Sequence, residues 1–64
     1  MTKEQKMEIF NIILKEETLA GKRTYDGVNH ADVADGAFQI VKALGLGSEY
    51  VKWSFGREWK REKQ

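Results

Sequence analysis

Apolar residues recur at three- and four-residue intervals along three stretches of the chain. In the first, Met7, Ile9, Phe10, Ile13 and Leu14 fall on one side of a 100°-per-residue projection, which predicts an amphipathic helix over about residues 3–19. Thr2 and Gln5 stand at capping-box spacing before it, and Gly21 ends it. In the second, Val33, Ala34, Ala37, Phe38, Ile40, Val41 and Leu44 share a face opposite Asp32, Asp35, Gln39 and Lys42. Asn29 is a natural N-cap, so this helix spans about residues 30–44, with Phe38 at the middle of its apolar face.

The third stretch, about residues 48–62, follows "LGLGS". There Gly45 suits a left-handed helix end, Leu46 can pack back, and Gly47 or Ser48 can cap the next helix. Val51, Phe55 and Trp59 at i, i+4 and i+8 form an apolar seam. Tyr50, Trp53, Arg57, Lys60 and Arg61 lie on the opposite side, with Gly56 inside the helix at a cost of about 1 kcal/mol relative to alanine. Such a glycine implies a kink or a close approach by a neighbour. Between the first two helices, Asp26-Gly27 is a turn dipeptide, and the flanking Tyr25 and Val28 are expected to fold over the core.

The resulting fold class is all-α, a compact three-helix domain formed by residues 1–64. At 64 residues a chain buries only about 60% of its unfolded surface, and with no cysteine neither disulfides nor thiolate-bound metal can add stability. A homodimer would supply the missing burial. The apolar run "IFNIIL" is too short for a membrane span or signal core, which places the protein in the cytoplasm by expectation.

Net charge is +1, but it is unevenly spread: the last fifteen residues carry five cations and two anions. Aromatic and basic residues interleave in the same segment. Tyr50, Lys52, Trp53, Arg57, Lys60 and Arg61 therefore form the candidate binding face, with cations for phosphates or carboxylates and aromatics for stacking. Nucleic acid is the expected partner. Two alternatives use the same residues: an acidic protein partner anchored on the aromatics, or simple packing of Tyr50 and Trp53 on the first helix beneath lysine stems.

Catalytic and metal chemistry find little to work with. "DGVNHADVADG" has the look of a cation loop, yet an EF-hand register from Asp26 puts Val28, Ala31 and Ala37 where ligand, glycine and bidentate glutamate belong. His30 is the single histidine and stands far in sequence from Ser48 and Ser54. No phosphate-loop spacing occurs. The expectation is a non-catalytic protein without metal or cofactor.

The stretch "IVKALGLGSEYV" resembles the centre of a helix-turn-helix unit, with Leu44-Gly45 ending one helix and a capped second helix following. That resemblance implies packing roles for Ile40, Leu44, Leu46 and Val51, and DNA-facing roles for Ser48, Glu49, Lys52 and Trp53. It covers about 20 residues. Val41, Ser54 and Gly47 stand where the family usually has alanine, an aliphatic residue and serine. Small adaptors and inhibitors encoded by mobile elements offer a further analogy, on size and compactness alone.

Overall fold

Thr2 opens the first helix with both bonds of a capping box: the Gln5 amide donates to Thr2 Oγ1 at 3.0 Å, and the Thr2 amide donates to Gln5 Oε1 at 2.9 Å. The computed structural model describes residues 1–59 and contains three α-helices, α1 (Lys3–Ala20), α2 (His30–Ala43) and α3 (Gly47–Ser54). The protein is an all-α three-helix domain. Among the described residues, no helix is long and apolar enough to cross a membrane.

Helix α2 starts where Asn29 Oδ1 accepts the Asp32 amide at 3.2 Å. It ends in a Schellman motif. The Leu46 amide reaches Val41 O and the Gly45 amide reaches Lys42 O, both at 3.0 Å, with Gly45 at φ 79°. Because that motif already turns the chain, α3 begins at Gly47 with Leu46 as N-cap and no side-chain cap, so neither Gly47 nor Ser48 caps it.

Helix α3 stops at Ser54, eight residues short of the expected end at 62. Phe55 (φ −59°, ψ 122°) and Gly56 (φ 75°) occupy the two central positions of a type II turn, closed by the Arg57 amide on Ser54 O at 2.9 Å. Gly56 is therefore the turn residue whose positive φ type II requires, not a helix-interior glycine.

This early stop reverses the expected faces of the last segment. The seam Val51–Phe55–Trp59 needs a helix that runs through Gly56; without it, two turns of helix can bury one narrow stripe. Tyr50 fills it, at 2% exposure, while Val51 (53%) and Phe55 (87%) face outward. Tyr50 meets Phe10 edge-on at 5.2 Å, and Trp53 packs on Phe10 at 5.5 Å. The core is Phe10, Ile13, Val41 and Tyr50, with Met7, Ile9, Ala37, Phe38, Leu46 and Trp53 around it. Phe38 is thus at the edge of the core rather than its middle.

Three of the four packing positions implied by the helix-turn-helix resemblance, Ile40, Leu44 and Val51, are exposed. With Tyr50 pointing inward, Val51 is rotated about 100° away from the core. Tyr25 is also exposed, at 89%, and Val28 largely so. The loop is instead ordered by Asp26, whose Oδ1 accepts the Val28 amide at 3.0 Å and tightens the turn locally.

Candidate nucleic-acid interface

The type II turn sends the chain back toward α1, and an open groove of about 1390 Å³ lies between the two. Lys15 from α1 and Lys22 and Arg23 from the following loop line it on one side, and Trp53, Arg57 and Trp59 on the other. Arg57 is fixed twice: its Nε donates to Trp53 O at 2.6 Å, and its guanidinium lies 4.8 Å from the Trp53 ring centroid. Lys15 Nζ lies 5.6 Å from the Trp59 ring. Each tryptophan in the groove therefore carries a cation against it.

Of the residues expected to bind, Trp53 and Arg57 are brought together here. Trp53 is half-buried, one part on the core and one part toward the groove. Tyr50 is in the core. Its hydroxyl donates to Glu17, and burial first, then that carboxylate, push its pKa up. Lys52 belongs to a separate cleft between α2 and α3. Lys60 and Arg61 lie outside the described residues. Helix α3 itself exposes Ser48, Lys52 and Val51, while Glu49 pairs with Lys6 of α1.

Lys15, Lys22 and Arg23 were missed by sequence reasoning, since nothing in "GKRTYDG" shows that a chain returning from residue 56 will face it. The only available signal was the adjacency of two cations in a loop, which by itself describes most solvated loops.

His30 also lines the groove and is 7% exposed. Its Nδ1 faces Glu16 Oε2 of α1 at 2.5 Å, and its Nε2 faces Asp26 Oδ2 of the loop at 2.9 Å. Ionised carboxylates only accept, so the ring must donate from both nitrogens, and only the imidazolium can do that. The bonds to Asp26 first and Glu16 second raise the His30 pKa. That of Asp26 is lowered, mainly by the Val28 amide and then by His30. With its two nitrogens turned to different carboxylates, His30 cannot converge with them on one metal ion. Among the described residues no group of three or more His, Cys, Asp or Glu is arranged to hold one. The His30 clamp ties the loop, α1 and α2 together and so fixes the wall that carries Lys22 and Arg23.

Comparison with known protein families, with curated proteins and with solved structures returns no match for this chain.

Proposed function

We propose that the protein is a small non-catalytic binding module that takes a single strand of nucleic acid in the groove between α1, its following loop and the segment after α3. The observation that carries this reading is the pairing of both tryptophans with cations, Arg57 on Trp53 and Lys15 on Trp59, in a groove that also holds Lys22 and Arg23. Aromatic faces accept bases of any identity, and cations alongside them neutralise the connecting phosphates. An open groove suits a strand with splayed bases. By contrast, two turns of α3 with Lys52 as their single cation offer little to the phosphates flanking a major groove.

The test is a titration of tryptophan fluorescence with oligothymidylate and with duplex DNA at about 50 and 200 mM salt. Each phosphate neutralised on a single strand contributes about −0.7 to the slope of log K against log salt, so four groove cations set a slope of about −3. Lys22→Ala/Arg23→Ala should lower that slope by about 1.4, whereas Lys52→Ala should leave it unchanged. Binding absent at low salt, or binding that depends on Lys52 and not on Lys22 and Arg23, would sink this reading. The rival reading, an acidic protein anchored on the same aromatic face, keeps Trp53 and Arg57 but loses Tyr50, which lies in the core.

A further inference from the structure

Away from the groove, and sharing no lining residue with it, a cleft of about 540 Å³ lies between the C-terminal half of α2 and α3. Phe38 and Val51 give it an apolar lining, and Lys42 and Lys52 give it positive charge. Val51 is 53% exposed. The Val51 side chain is thus left open, with half-buried Phe38, beside two cations.

Nothing within the described residues answers those cations. No acidic residue lines the cleft, and neither lysine has a carboxylate within salt-bridge distance among the described residues. The nearest acid in sequence on α3, Glu49, is committed to Lys6. At the helix crossing Gly47 sits against Lys42: a Cβ there would lie 3.6 Å from Lys42 Cα and Cγ.

We propose that this cleft is a docking site for an acidic, amphipathic peptide segment of a partner protein. Its apolar anchors would enter between Phe38 and Val51, and its carboxylates would meet Lys42 and Lys52. The volume falls in the ordinary range of about 300–1,000 Å³ for binding pockets, and a short helix with anchors at i, i+3, i+4 and i+7 is the form that such a groove between helices accepts. Nucleic acid fits less well, because the lining offers apolar surface and two cations with no ordered stacking pair. The proposal does not depend on the groove's ligand, so the protein would hold two partners on different surfaces.

The experiment titrates the ¹⁵N-labelled full chain, up to about 1 mM, with a helical peptide of about 16 residues that carries Leu and Phe at those spacings among glutamates. A twin peptide has every glutamate replaced by lysine. The expected result is saturable shifts of the Phe38, Lys42, Gly47, Val51 and Lys52 amides. The lysine twin should bind about tenfold more weakly or worse, and Lys42→Glu/Lys52→Glu should reverse that preference. Val51→Glu, an exposed change that spares the core, should also weaken the acidic peptide. Any of four results overturns the proposal: no saturable shift at the highest concentration, equal affinity for both peptides, shifts centred on Lys22, Arg23 and Trp59, or cleft shifts that follow protein concentration without peptide. The last would assign the cleft to a second copy of the chain.

Discussion

At the scale of single residues, His30 is the position where charge and burial meet most sharply. A raised pKa in the folded state means that its stabilising contribution is complete below the unfolded value of about 6.5 and is lost as pH rises through the folded value. Asp26, with its pKa lowered, contributes above its unfolded value of about 3.9 and loses that contribution as pH falls through the folded value. Between those limits the clamp is complete. The difference in melting temperature between the wild type and His30→Gln should therefore be largest near pH 5.5 and shrink steadily toward pH 9. A difference that stays constant across that range would show that the folded ring is neutral.

At the scale of elements, the ends of the helices decide more than their interiors. Gly56 holds φ 75° with nothing near its Cβ position, so Gly56→Ala meets backbone strain alone and should cost about 1–2 kcal/mol. Gly36 lies exposed within α2 with equally open space, and Gly36→Ala should instead stabilise by about 0.5–1 kcal/mol. Urea denaturation of both variants reads these opposite signs. If Gly56→Ala proved as stable as the wild type, the type II turn that ends α3 would be wrong, and with it the return of Trp59 to α1.

At the scale of the whole molecule, a small core leaves little reserve. Phe10 is fully buried and touches both Tyr50 and Trp53, so Phe10→Ala removes the aromatic packing of α1 on α3 and should cost about 3–5 kcal/mol, enough to unfold a domain of this size. Phe38, half-buried and on the Tyr50 side only, should cost less, about 2 kcal/mol, and leave a folded protein by circular dichroism. Equal damage from both would place Phe38 at the centre after all.

The sequence by itself determined the local facts: the capping box at Thr2, the Asn29 cap, the left-handed Gly45 and the helices α1 and α2, though on the expected apolar face of α2 Val33, Ile40 and Leu44 are exposed. Each rests on groups within a few residues of one another, where the chain's own geometry fixes who can meet whom. Tertiary structure alone decided which side of the last segment is buried. Tyr50 and Val51 are adjacent and both apolar enough to be core, and the choice between them follows from where Phe10 and Phe38 wait across the fold. The same holds for Gly56, since a helix-interior glycine and a turn glycine look alike until Ser54 and Arg57 close the turn. The groove was illegible for the same reason: Lys15, Lys22 and Arg23 meet Arg57 and Trp59 only because the chain reverses at that turn, and no periodicity along the sequence encodes the meeting of residues 34 to 44 positions apart.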